Sequence, residues 1–317
     1  MKFYDIFNGD ADGICALHQL RLEQPRVAAL VTGVKRDTQL VARVDAQAGD
    51  VLTVLDISLR SNIQAVLQAL DRGARMQYFD HHAAGDIPQH PAFEAHIDLA
   101  PDVCTSLLVD RYLSGKHRLW AVVAAFGDNL VESAVRAAQP LQLDHIELAR
   151  LHELGEAINY NAYGETVEDL HYPPADLYHM IAPYHDPRHF IFDEPVFEVL
   201  KQAGAEDLAR AEEVAPEFAT DAAALYVLPD VAWSRRVNGV FSNRLVQADP
   251  QRAHAVLIAR GDDFAVSVRA PRNRPLGADT LCLAFATGGG RVAAAGINRL
   301  PASDLPRFAE AFRAAYK

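Results

Sequence analysis

Cysteine is scarce. Cys15, Cys104 and Cys282 form no CxxC pair and no even-numbered framework. That argues against a disulfide scaffold and points to a reducing, cytosolic setting in which the thiols serve as small hydrophobes. Long hydrophobic runs are missing too. No stretch of about 18 apolar residues occurs, so a membrane-spanning helix is not expected. The amino-terminal MKFYDIFNGDADG turns acidic and glycine-rich too soon for a signal peptide. Internal repeats and low-complexity tracts are absent, which excludes a repeat array. Cations are in deficit overall, with a net charge of −12, which speaks against a general DNA-coating protein. Lysine is nearly lost from the last segment. Ala222 to Lys317 carries 13 basic and 7 acidic residues, and every cation but Lys317 is arginine. That segment is therefore +6, and the remainder is −18. Arginine offers a planar fork suited to phosphate or carboxylate. An acidic part beside an arginine-bearing part suggests metal ions on one side and an anionic substrate on the other, although solvated faces that merely differ in charge explain the same numbers.

What is present is ample. Half of the 317 residues are apolar, enough for two domains or one large one. Apolar runs at 2–7, 27–33, 51–56 and 76–79 read as strands. Stretches at 14–22, 63–71, 105–113, 119–127 and 142–161 read as helices. Strands alternating with helices imply a doubly wound, mostly parallel sheet with right-handed crossovers, and near-continuous apolar strands suit burial on both faces. The Pro-, His- and Asp-rich 173–195 reads as the end of this first domain. ALYVLP, AHAVLIA and FAVSVRA read as strands of a smaller carboxyl-terminal α/β domain. The expected division is 1–190 for a metal-site domain, 191–221 for a connector and 222–317 for a substrate-binding domain.

Three predicted strands run into carboxylates. KFYDIF leads to Asp10 and Asp12, VLTVL to Asp56, and MQYF to Asp80, His81 and His82. Asp128 follows an apolar helix. In open parallel sheets, ligands bind beyond the carboxyl ends of the strands. Crowded carboxylates stay ionised only when cations neutralise them. Oxygen donors with an imidazole suit Mn²⁺ or Mg²⁺, with Mn²⁺ the more tolerant of histidine. Two ions about 3.5–4 Å apart would form a two-metal hydrolytic site. Taken singly, each residue has a plainer reading: NGDADG as a turn capping the next helix, Asp56 as another cap, His81 and His82 as surface loop. Four such placements on one sheet edge are harder to explain as caps.

These motifs resemble those of the DHH phosphoesterase superfamily, which includes RecJ-type exonucleases, nano-RNases, cyclic-dinucleotide phosphodiesterases and family II pyrophosphatases. Asp10-Ala11-Asp12-Gly13 is similar to motif one, Asp56 to motif two, Asp80-His81-His82 to the name-giving triplet and Gly127-Asp128 to motif four. TGGGRVAAAG (287–296) resembles the GGGHxxAAG loop of the associated carboxyl-terminal domain, and VSVRA (266–270) the strand that ends in its substrate-contacting arginine. The resemblance covers nearly the whole chain. It implies that Asp12, His81 and Asp128 hold one ion, that Asp10 holds another and that Asp56 bridges the two. It implies His82 beside the scissile phosphate as polariser or general acid, and Asp80 orienting a histidine. Arg269 and the Gly288, Gly289, Gly290 loop, followed by Arg291, would clasp substrate, since closely spaced glycines let backbone N–H groups approach an anion.

Departures from the pattern are specific. Ile6 stands where many members have histidine. Asn8 stands where RecJ-type members have aspartate, and could offer only a neutral carbonyl to a metal. Arg291 replaces the GGGH histidine and can grip an anion but not exchange protons at neutral pH. The function implied is a Mn²⁺-dependent phosphoesterase, with Mg²⁺ or Co²⁺ as other cofactors. It would act on phosphodiester or phosphomonoester bonds of short oligonucleotides or small nucleotides. The alternatives are a nucleotide-binding protein with a degenerate metal site and a single-strand exonuclease. A cytoplasmic location and no membrane partner are expected, with a homodimer as the candidate assembly.

Three weaker features complete the reading. Cys104-Thr105-Ser106 reads as a helix N-cap, or else as a helix end that helps bind an anion. Asn159 and Asn161 read as the end of a helix more readily than as site residues. His185, Asp186 and His189 read as an exposed connector rather than a third metal site.

Overall fold

The computed structural model describes residues 1–317. The chain divides into two compact units, Met1–Gln202 and Ala203–Lys317.

The first unit opens with β1 (Phe3–Phe7), α1 (Ala11–Glu23), β2 (Ala29–Val31), β3 (Val51–Leu55), α2 (Leu59–Asp71), β4 (Arg75–Asp80) and β5 (Phe93–Ile97). It continues with α3 (Thr105–Tyr112), α4 (Arg118–Gly127), α5 (Val131–Ala138), α6 (His145–Asn161), α7 (Pro174–Ile181) and α8 (Pro187–Asp193). A long helix, α9 (Val196–Glu212), runs across the division. The five strands form an all-parallel sheet in the order β2-β1-β3-β4-β5. Successive residues feed opposite cores, as the pleat demands. Ile6, Leu52, Val54 and Tyr78 pack with Leu59, Val66 and Leu70 of α2 on one face. Phe7, Leu55 and Phe79 pack with α1, α3, α4 and α6 on the other. Burial on both faces explains why the strands read as apolar runs.

The expected doubly wound parallel sheet is therefore present, with one strand more than expected. Phe93–Ile97 of β5 has no fully buried residue and pairs within the sheet only with β4. An edge strand of this kind carries no continuous apolar signal. The His- and Pro-rich 173–195 holds α7 and α8, both starting on proline at the first helical turn, where its missing N–H costs nothing.

The second unit contains β6 (Phe218–Ala219), β7 (Ala223–Leu228), α10 (Ala232–Ala248), β8 (Ala253–Arg260), β9 (Asp263–Arg269), α11 (Ala278–Leu283), β10 (Gly288–Arg291), β11 (Ala294–Pro301) and α12 (Leu305–Ala315). Its six-stranded sheet has the order β10-β11-β9-β8-β7-β6, with only β7 and β8 parallel. One core joins the sheet to Phe308, Phe312 and Tyr316 of the carboxyl-terminal segment. The smaller α/β domain is as expected. The Gly288–Gly290 segment is not a loop, however: it is a strand in register with Ala295–Ile297.

Candidate metal centre

The strand order reverses direction between β1 and β3, and the loops leaving those two strands diverge there. Such a switch point opens a crevice at the carboxyl edge. Asp10 and Asp12 follow β1, Asp56 follows β3, and Asp80, His81 and His82 stand at the end of β4. Asp128 comes from the end of α4, and Lys35 from the loop after β2.

Asp10 caps α1. One of its oxygens, Oδ1, accepts from the backbone N–H groups of Asp12 at 3.1 Å and Gly13 at 3.0 Å. Here the plain capping reading and the site reading both apply, because Oδ2 faces inward and meets Lys35 Nζ at 2.6 Å. Asp12, in the first turn of α1, is held by another helix. Thr105 and Ser106 at the start of α3 each donate a backbone N–H to it at 2.7 Å, one to each carboxylate oxygen. The α3 end does bind an anion, and that anion is Asp12. Cys104 at the N-cap position makes no side-chain cap. Asp56 has left-handed backbone, φ 58°, and accepts from Thr105 Oγ1 at 3.1 Å. For a residue with a Cβ this conformation is strained, and strain of this kind gathers at functional sites.

His81 Nδ1–H donates to the carbonyl of Val103 at 2.9 Å. That turns Nε2 toward the carboxylates, 3.4 Å from Asp56 Oδ1, 3.8 Å from Asp128 Oδ2 and 4.0 Å from Asp12 Oδ2. A backbone carbonyl behind the ring is how metal-binding imidazoles are commonly oriented. His82 Nδ1–H donates to Asp80 Oδ1 at 2.8 Å, and Asp80 is fully buried. The histidine that Asp80 contacts is thus His82, whose half-exposed ring belongs to one of the potential ligand sets.

Two sets of potential ligand atoms lie within 4.8 Å of one another: Asp12, His81 and Asp128, and Asp56, His81 and His82. Asp10 belongs to neither. The electrostatics fit an ion in the shared region. Burial, and then the charges of Asp12, Asp10, Asp128 and Asp80, push the Asp56 carboxyl well above its ordinary range. Burial and then Asp12 raise Asp128 to about 6. Carboxylates so placed call for a cation. Asp10 differs. Burial pushes its carboxyl upward, but the Lys35 ammonium and the hydrogen bonds to the carboxylate more than offset this and hold it below the usual value.

Lys35 is the residue that sequence reasoning missed, and Asn159 the one it ranks as a helix end before a site residue. Lys35 Nζ donates to Asp10 Oδ2, to Asp128 Oδ1 at 3.3 Å and to Asn159 Oδ1 at 3.3 Å. Asn159 donates in turn to Tyr163. The helix-end reading of Asn159 is thereby corrected: its side chain is in the centre, and Ala162 is the C-cap of α6. Asn161 binds the backbone of His171 and Tyr172. Asn8 does not point a free carbonyl at a metal. Its Oδ1 accepts from Asp10 N and its amide donates to the carbonyl of Lys35. Asp186 caps α8 by accepting from Arg188 N, and neither it nor His185 or His189 joins a potential ligand set.

Within the second unit, Ala294 of β11 is paired with Arg269 on one side and Arg291 on the other. Directly opposed residues of an antiparallel sheet share a face, so both arginines project from the same side. Arg269 Nε donates to Asn243 Oδ1 of α10 at 2.8 Å, and Arg291 is exposed. Two of the glycines have a reason internal to this unit. A Cβ on Gly288 would lie 1.7 Å from the carbonyl oxygen of Cys282, and one on Gly290 2.5 Å from Ala295 Cα. Gly289 has open space where its Cβ would be.

A scan against protein-family models finds no match, and a search of curated proteins finds none. Solved structures do match. Exonuclease RecJ bound to manganese aligns at TM-score 0.62 and 15% identity, covering 99% of this chain and 90% of that one. RecJ in complex with Mn²⁺ from Thermus thermophilus aligns at TM-score 0.57 and 15% identity, covering 99% of this chain and 51% of its own. The pGpG-specific phosphodiesterase PggH from Vibrio cholerae aligns at TM-score 0.58 and 14% identity, covering 98% and 97%. No helix of the chain is long and apolar enough to cross a membrane. The chain has a RecJ-like fold over essentially its whole length.

Proposed function

We propose that the chain is a DHH-type, divalent-metal-dependent phosphoesterase acting on short oligonucleotides or small nucleotides. The observation that carries this is the convergence of Asp12, His81 and Asp128 within 4.8 Å at the edge of a RecJ-like sheet. Asp12, Asp128 and His81 Nε2 would hold a Mn²⁺ or Mg²⁺ ion, with Asp56 beside them. When bound, such an ion polarises a phosphoryl oxygen and lowers the pKa of a water.

The chain's own groups do the rest. The α3 amides hold both oxygens of Asp12 and fix its aim. The Val103 carbonyl accepts from His81 Nδ1–H, which in the neutral ring leaves Nε2 as the nitrogen that can ligate an ion. The hydrogen bond to Asp80, outweighing burial, raises the His82 pKa, which favours the protonated ring as the proton source for a leaving oxygen. Arg269 and Arg291 supply guanidinium forks of the kind that recognise phosphate.

Asp12→Ala and His81→Ala should each remove at least about 100-fold of the Mn²⁺-stimulated cleavage of a dinucleotide. Unchanged turnover in either protein refutes the site. A series of 5′-labelled oligonucleotides separates the substrate classes, with preference for about two to five nucleotides expected.

A further inference from the structure

Resting on that reading, we infer that the Lys35 ammonium takes the place of the second divalent ion, so that the centre holds one metal rather than two. Lys35 Nζ sits among three oxygens, Asp10 Oδ2 at 2.6 Å, Asp128 Oδ1 at 3.3 Å and Asn159 Oδ1 at 3.3 Å. Oxygens of this type are what a hard divalent ion takes as ligands. An ammonium has three N–H donors and no acceptor, so each oxygen finds one proton. The side chain is not a passing surface group. Its backbone is fixed on both sides, with Lys35 N–H donating to the Ala162 carbonyl at 3.0 Å and the Lys35 carbonyl accepting from Asn8 Nδ2 at 3.2 Å.

A second, independent observation points the same way. The donors that would complete an ion on the Asp10 side are missing or engaged. Ile6 brings no ligand, Asn8 brings no charge, and the Asn8 amide is tied to backbone through both its oxygen and its nitrogen. Asp10 stands outside both sets of potential ligand atoms. The charge that an ion would have supplied there is carried by the chain itself.

Counting bound Mn²⁺ tests this without reference to turnover. Protein equilibrated with MnCl₂ and desalted would be assayed by elemental analysis, and its Mn²⁺ spin-resonance spectrum recorded. The wild-type chain should carry one ion with the spectrum of an isolated Mn²⁺. Lys35→Met, which removes the charge and keeps the bulk, should rise toward two ions and show an exchange-coupled pair. Lys35→Arg should stay at one. Two coupled ions in the wild-type chain overturn the inference while leaving the phosphoesterase reading intact, and this measurement needs no variant. A Lys35→Met count that stays at one also overturns it, since Lys35 would then not be what excludes the second ion. No ion in any of the three proteins overturns both readings. Loss of dinucleotide cleavage with the count at one in the wild type and two in Lys35→Met supports the inference and strikes only at the proposed reaction.

Discussion

Asp80 lies behind His82 and outside both potential ligand sets, and that imidazole is its shortest side-chain partner. The bond between them is the leading reason why the His82 pKa is raised. Asp80→Asn should therefore lower the His82 pKa. If His82 works in its protonated form, the alkaline limb of the kcat/KM profile must move to lower pH, because the required proton is lost earlier as pH rises. A fall of about 10- to 100-fold in kcat at about pH 8 is expected from loss of an orienting partner, with a smaller deficit in mild acid; a profile shifted only in height, not in pH, would refute the role. The DHH triplet and the four other motif aspartates were legible because each sits at or just past the end of an apolar run. Lys35 was not, and Asn159 reads first as a helix end. Their partners lie 25 and 124 positions away in the chain, and a lysine after a short, poorly buried strand looks like any surface cation until the chain is folded.

Helices α4 and α6 set the other half of the centre, one ending at Asp128 and the other carrying Asn159. They meet through glycine. A Cβ on Gly155 would stand 2.2 Å from the Val123 carbonyl oxygen, and one on Gly127 would stand 2.8 Å from the Gly155 carbonyl oxygen. Gly155→Ala must therefore push the two helices apart. The expected cost is roughly 1–3 kcal/mol in denaturant unfolding, together with weaker Mn²⁺ binding, because the potential ligand Asp128 directly follows Gly127 at that contact. Unchanged stability and unchanged affinity would show that the helices yield without moving the centre. At this level the alternation of strands and helices was readable from period and run length. The edge strand β5 was not, because no run marks it. The glycine-rich 288–290 segment was misread because glycine signals both loops and tight backbone contacts, and only the neighbouring Cys282 carbonyl and Ala295 decide between them.

Over the whole molecule, charge is segregated: residues 222–317 are +6 and the rest is −18. A substrate phosphate approaching this chain meets strong fields of both signs, and fields between exposed charges are screened beyond about 8–10 Å at physiological salt. KM for a dinucleotide should rise several-fold from ~0.05 to ~0.5 M NaCl with kcat nearly constant, provided arginines supply the capture; a flat KM would exclude that role. The contact between Lys35 and Asp10 has a further meaning in terms of electroneutrality. Asp10, Asp12, Asp56 and Asp128 can bring four negative charges to the centre. One ammonium and one divalent ion would leave a single negative charge, because the proton on His82 is matched by its bonded partner Asp80. A centre built this way would carry about one net negative charge before substrate arrives and about two once the His82 proton is lost, so the same proton that would serve the leaving group also sets how strongly a phosphate is repelled.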